Sequence, residues 1–199
     1  MRGKFIVLEG LDGAGLSTQS VLLENHLKLR GLKTMLTKEP TNGLLGGIIK
    51  ASLKGEWKTS YKSLQLLFCA DRAHHLENEI EPALVDGRIV ISDRYLFSTL
   101  AYGYASNVNY KWLRYINLNF RLPDLAILLD VSADTSLSRI SGGRSNLELF
   151  EHKENLSKVR QAYLHAAKEF HIKVVDANGS IADVEGKIDK IVDKFLSLR

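Results

Sequence analysis

The chain has only one cysteine in 199 residues, Cys69, which excludes an internal disulfide and fits a reducing compartment, the cytoplasm. No stretch approaches 18 consecutive apolar residues, so no membrane span and no membrane partner are expected. Runs of five or more basic residues are missing, and the net charge is a mild +4. No nucleic-acid partner is expected, and the small basic excess suits anionic phosphates. The first apolar run begins at about residue five, leaving no room for a signal peptide. Glutamine is scarce at three residues, as in heat-adapted proteins. No cysteine or histidine spacing suggests zinc. His74 and His75 are adjacent on a helical stretch, so they face different ways and are expected at the surface.

The 45% apolar content suits a single domain over 1–199. Strand-like and helix-like segments alternate along it. Strands are expected at Lys4–Glu9, Thr34–Lys38, Arg88–Ser92, Leu125–Asp130 and Lys173–Asp176, and three of these are nearly continuous apolar runs. Helices are expected at about Gly15–Arg30, Leu44–Lys54, Ser60–Val85, Ser98–Phe120 with a break near Asn107–Asn109, Ala133–Ile140, Leu149–Phe170 and Ile181–Leu198. Gly31 closes the first and Ser180 caps the last. The alternation predicts an α/β fold with a five-stranded parallel sheet and helices on both faces, whose ligands sit at the carboxyl ends of the strands.

The most informative segment follows the first strand: Glu9-Gly10-Leu11-Asp12-Gly13-Ala14-Gly15-Leu16-Ser17-Thr18-Gln19. Strand, glycine loop and helix form the setting of a P-loop. Gly10, Gly13 and Gly15 let the backbone turn tightly, so that the N–H groups from Gly10 to Thr18 converge on phosphate oxygens at the positive end of a helix. Ser17 stands where a hydroxyl reaches a nucleotide-bound Mg²⁺. Leu16 occupies the place where this pattern carries lysine.

Other strand ends add charge. The second ends at Lys38-Glu39-Pro40, the third at Asp93-Arg94-Tyr95 and the fourth at Asp130. An aspartate after an apolar strand suits Mg²⁺, and an arginine beside it suits a phosphate. Phe68 and Arg72 are four residues apart on one helix face, an aromatic surface for a base and a donor for its edge. Glu24, Lys28 and Arg30 read as a solvated helix face, Cys69 as a core residue, and Trp57 and Trp112 as core or interface.

The combined motifs resemble the thymidylate kinase family of P-loop nucleoside monophosphate kinases. The stretches EGLDGAGLSTQ, TKEP, LLFCADRAHH, SDRYLFSTLAY, PDLAILLDV, VRQAY and VVDANGS follow its order and spacing from about Phe5 to Asp176. The resemblance implies a P-loop NTPase fold, transfer of the γ-phosphoryl group of ATP to dTMP, Mg²⁺ with ATP, and a homodimer built on helices such as Ser60–Val85. It implies a role for each matching residue. Asp12 accepts the deoxyribose hydroxyl, Phe68 stacks on thymine, and Arg72 donates to the base. Arg94 and Lys38 hold the dTMP phosphate. Ser98 and Thr99 lie near the base, and Tyr102 fills the space of a 2′-hydroxyl. Asp93 and Ser17 organise the metal. Arg139 to Leu149, with Gly142, Gly143 and Arg144, forms a short lid at about 139–149, followed by Arg160 and Tyr163.

The chain departs from that family pattern in the lid, which carries fewer arginines than in many relatives, and at three further places. Leu16 replaces the P-loop lysine, Lys38 stands where many relatives have arginine and lacks its planar fork, and Gly103 falls where many bacterial relatives have glutamine. The alternative to a kinase is a nucleotide-binding protein with little turnover. A deoxynucleoside kinase is a third reading. Removing one preorganised donor commonly slows a reaction by about 10²–10³. Leu16→Lys is therefore expected to raise kcat about tenfold or more with a smaller effect on KM for dTMP. An unchanged or lower kcat in a steady-state assay would mean that another cation fills that role.

Overall fold

The computed structural model describes residues 3–142 and 153–198. The first strand, β1 (Lys4–Gly10), is buried along nearly its whole length. Phe5, Ile6, Val7 and Leu8 carry apolar side chains to both faces of a strand that helices cover on both sides. It lies at the centre of a five-stranded sheet of order β2-β3-β1-β4-β5, with every pairing parallel. The others are β2 (Thr34–Lys38), β3 (Ile89–Asp93), β4 (Leu125–Asp130) and β5 (Lys173–Asp176). This is the α/β P-loop NTPase arrangement expected. β3 runs one residue later than Arg88–Ser92, so Asp93 is its last residue rather than the first of the loop.

The order matters for the site because β1 and β3 are adjacent, with Leu8 opposite Asp93, and β2 and β3 place Lys38 opposite Asp93. The P-loop, the Asp93-Arg94 pair and Lys38 therefore share one edge of the sheet. Helix α1 (Leu16–Leu29) leaves the P-loop directly and ends at Gly31, whose φ of +75° suits the turn that closes it. Helix α2 (Leu44–Leu53) follows the β2 loop.

The single helix expected over Ser60–Val85 is three pieces: α3 (Tyr61–His75), a π-helical turn over Leu76–Ile80, and α4 (Glu81–Val85). Pro82 has no N–H for the helical ladder, and the widened turn just before it accommodates the loss. Ser60 caps α3 by accepting from the Ser63 N–H. The Ser98–Phe120 stretch divides into α5 (Leu96–Ala105) and α6 (Tyr110–Asn117). Asn107 adopts φ +61°, and the Asn109 side chain caps α6 at Trp112.

Helix α7 (Ala133–Ser141) packs against the P-loop, and α8 (Lys153–Glu169) lies along α5. The last helix, α9 (Ile181–Leu196), starts at Ser180 with a reciprocal capping box to Asp183. Glu24 and Arg30 are not simply solvated: Glu24 accepts from Thr34, and Arg30 pairs with Asp193 of α9. Cys69 is half-buried, and Trp57 is exposed.

Candidate active site

The P-loop takes the shape its glycines permit. Gly13 and Gly15 have φ of +74° and +90°, backbone that other residues adopt only under strain. Helix α1 begins at Leu16 with Gly15 as its N-cap, no side chain capping it and no acidic residue in its first turn. Its leading N–H groups, at Leu16, Ser17 and Thr18, are therefore open to an anion. The loop is braced from α7, where Ser136 donates to the Asp12 carbonyl at 2.6 Å. Gly13 lies so close to that helix that a Cβ would stand 2.7 Å from the Ser136 carbonyl oxygen.

Ser17 and Asp93 come together, the Ser17 hydroxyl donating to Asp93 Oδ2 at 2.6 Å. A hydroxyl and a carboxylate are hard oxygen donors that suit Mg²⁺, which usually keeps few protein ligands and completes its shell with phosphates and water. Among the described residues no cluster of three or more acidic, histidine or cysteine side chains could hold a metal unaided. Leu16 is only 5% exposed and belongs to the hydrophobic core, although it also borders the P-loop hollow.

Arg94 joins the P-loop to the rest of the site. It has φ +71°, an uncommon backbone for a residue with a side chain, fixed by its N–H to Leu8 O at 2.9 Å. Nη1 donates to the Gly10 carbonyl at 2.8 Å, and Nη2 donates to Asp12 Oδ1 at 2.7 Å. The Tyr102 hydroxyl donates to the other Asp12 oxygen at 2.7 Å. Burial opposes the Arg94 charge, but its pKa is raised well above the usual guanidinium value, with the Asp12 carboxylate as its ion-pair partner. Beneath it, Ser98 donates to Glu9 Oε2 at 2.6 Å and shares a hydrogen bond with the Tyr163 hydroxyl. Glu9 is wholly buried, and desolvation pushes its carboxyl up to about 7 against the pull of Ser98 and Arg94.

On the far side of Arg94 lies a pocket walled by Phe68, Arg72, Gln65, Thr99, Tyr102 and Leu53 among others. Arg72 is fully buried there. Its Nε and Nη2 donate to Glu39 Oε2 at 3.0 and 2.7 Å, Nη2 also donates to Thr99 at 2.9 Å, and Nη1 donates to Asn117. A guanidinium has five N–H donors, so one on Nη1 is left over. Glu39 Oε1 faces the His75 ring at 3.2 Å, and Thr37 holds the other ring nitrogen at 2.7 Å. The expectation for the paired histidines is half overturned. His74 is exposed, whereas His75 is fully buried, because Glu39 and Thr37 satisfy both its nitrogens.

The structure thus brings Gly10 to Thr18, Asp93, Arg94, Lys38, Phe68, Arg72, Ser98, Thr99 and Tyr102 to one sheet edge. Gly143 and Arg144, with most of the 139–149 segment, lie outside the described residues. Arg139 donates to the carbonyls of Gly13 and Ala177, at 3.4 and 3.1 Å. Arg160 is engaged elsewhere, forked onto Asp130 at 2.7 and 2.8 Å. Sequence reasoning missed Glu39, Glu9 and two lysines. Lys50 and Lys54 line a second hollow with Lys38, Arg94, Asp12 and Asp93. Burial and the nearby Lys38 lower the Lys50 pKa. Lys50 lies in the last turn of α2 and Lys54 is its C-cap, a spacing of four that puts them on one side of the helix end.

Fold and site define a P-loop phosphotransferase in which a phosphate cradle meets an apolar pocket ringed by hydrogen-bonding groups. The thymidylate kinase family model matches residues 8–188. A probable thymidylate kinase of Pyrococcus horikoshii is 42% identical over 198 residues, covering 96% of this chain and 97% of that one. One from Thermococcus onnurineus is 40% identical, covering 98% and 100%. Probable thymidylate kinase 1 of Saccharolobus solfataricus is 38% identical, covering 97% and 98%. The chain belongs to the thymidylate kinase family.

Two predictions follow from the buried charges. Glu9 holds its proton more tightly when folded than the 4.5 of a free side chain, so its contribution favours the fold most below pH 4.5 and is lost as pH rises to about 7. A shift of that size corresponds to roughly 3 kcal/mol, and Glu9→Gln should flatten that part of the profile measured by denaturant unfolding. Arg72→Leu strands the Glu39 carboxylate and should cost about 3–5 kcal/mol of stability. Adding Glu39→Gln should recover much of it, and purely additive losses would refute the pairing.

Proposed function

We infer that this chain is a dTMP kinase, transferring the γ-phosphoryl group of ATP to dTMP to give dTDP and ADP. The observation that carries this is the Arg94–Asp12 pair, which ties the P-loop to the pocket of Phe68, Arg72, Thr99 and Tyr102. The reaction needs donor and acceptor phosphates held end to end, and this pair stands where the two would meet.

An oxygen of the dTMP phosphate attacks the γ-phosphorus in line. The bond to the β–γ bridging oxygen breaks, and ADP leaves with the electron pair. A phosphate dianion is already a sufficient nucleophile, so positioning and charge neutralisation supply the acceleration. In this reading the N–H groups from Gly10 to Thr18 hold the ATP phosphates. Ser17 and Asp93 would hold Mg²⁺, which would supply charge neutralisation at the transferred phosphoryl group. Arg94 and Lys38 take the dTMP phosphate, with Lys50 and Lys54 adding positive charge nearby.

Phe68 offers its ring to thymine, and Arg72 its remaining donor. Thr99, already bonded to Arg72, lies on the base side. Ser98, bonded to Glu9 and Tyr163, supports Arg94. Asp12 receives the sugar hydroxyl, and Tyr102 leaves no room for a 2′-hydroxyl. The described residues form one domain. A homodimer through α3, where Leu66 is exposed, and a cytoplasmic setting complete the reading. Among the described residues no helix is long and apolar enough to cross a membrane.

The deciding measurement is ADP formation with each nucleoside monophosphate in turn. dTMP should be the best acceptor, and Tyr102→Ala should narrow the preference for deoxyribose over ribose about tenfold or more. Turnover with another monophosphate and none with dTMP would refute the reading. Tight dTMP and ATP binding without turnover would establish the nucleotide-binding alternative.

A further inference from the structure

Gln65 sits on α3, three residues before Phe68 and seven before Arg72, on the helix face that walls the cavity. It is 1% exposed, yet neither its amide oxygen nor its amide nitrogen has a hydrogen-bond partner among the described residues. Buried polar atoms are nearly always paired, and an orphaned pair on one side chain demands a reason. The surrounding helices have made room for this side chain. Gly103 of α5 lies against it, and a Cβ there would come within 3.2 Å of the Gln65 Cδ and 2.8 Å of a Leu113 methyl.

We propose that Gln65 is a specificity-determining residue that reads the imide edge of the base. The edge of thymine presents an N3–H between two carbonyl oxygens. An amide offers the complementary adjacent pair: Oε1 accepts from N3–H while Nε2 donates to one flanking carbonyl. The remaining Nη1–H of Arg72 takes the other carbonyl, on the far side of the same edge. That carbonyl is the 4-carbonyl, and Arg72 cannot accept, so cytosine would turn its 4-amino group onto the guanidinium whichever way the amide is flipped. Phe68 fixes the plane of the base. The free protein bears the cost of two unpaired polar atoms, and the bound base removes it.

This proposal rests on the dTMP kinase reading, and the experiment separates the two. Affinities and KM values are measured for dTMP and for N3-methyl-dTMP, which lacks the N3–H, with native protein, Gln65→Leu and Gln65→Met. Native protein should prefer dTMP over the methylated analogue by about tenfold or more, because a site built to hydrogen-bond a group rejects the analogue lacking it. Both variants should raise KM for dTMP about tenfold, leave KM for ATP unchanged and lose most of the preference against N3-methyl-dTMP. They should also melt at or above the native temperature, since an apolar side chain replaces two unsatisfied polar atoms. Equal discrimination by native and variant proteins would overturn the role of Gln65, as would native protein indifferent to N3 methylation. A native protein that binds dTMP with this discrimination but never phosphorylates it would defeat the kinase reading and leave the Gln65 assignment standing.

Discussion

The site depends on one backbone constraint, the left-handed conformation of Arg94. Directly after β3 the chain reverses with φ +71°, where glycine would be cheaper, and the gain is the direction of the side chain. Instead of continuing beyond the sheet, the guanidinium returns across β1 and bonds to the Gly10 carbonyl and to Asp12. A positive charge is thereby fixed between the phosphate cradle and the apolar pocket. Asp12 completes the bridge with its second oxygen, which receives the Tyr102 hydroxyl. Three elements distant in sequence are thus positioned by one ion pair with few degrees of freedom left.

Two buried polar layers keep that pair in place. Under Arg94, Glu9 gathers the Tyr95 N–H, Ser98 and Tyr163. Under the pocket, Glu39 gathers Arg72 and His75, while Asp71 holds both the N–H and hydroxyl of Thr41. Each layer joins a strand end to a helix and so ties the loops at the carboxyl edge to the elements around them. Burying such groups is costly when any one is left unpaired, which makes their geometry sharply defined.

The phosphate cradle shows the opposite economy. It relies on backbone N–H groups and a helix terminus, with Leu16 folded into the core in place of a charged side chain. Positive charge stands around the cradle instead: Arg94 and Lys38 at strand ends, Lys50 on α2 and Lys54 at its C-cap, and Arg139 on α7. In the dTMP kinase reading, distributed cations would neutralise phosphates less directionally than a single lysine in the loop, but over a wider span.

The sheet, its parallel sense and its strand spans were legible in the sequence, because central strands covered on both faces need continuous apolar runs. The P-loop was legible because only glycines satisfy its turns, and the meeting of Ser17 with Asp93 because the P-loop and the end of β3 share one sheet edge. Spacing on a helix gave Phe68 and Arg72 a common face. What tertiary structure decided was pairing. Nothing local marks Glu39 as the partner of Arg72, His75 as buried beside the exposed His74, or Glu9 as a carboxyl that keeps its proton to about pH 7. Nor does it mark Gln65 as an amide without a partner. Periodicity reports which face of an element is apolar. Which polar group meets which across elements depends on crossings that the chain settles only when it packs.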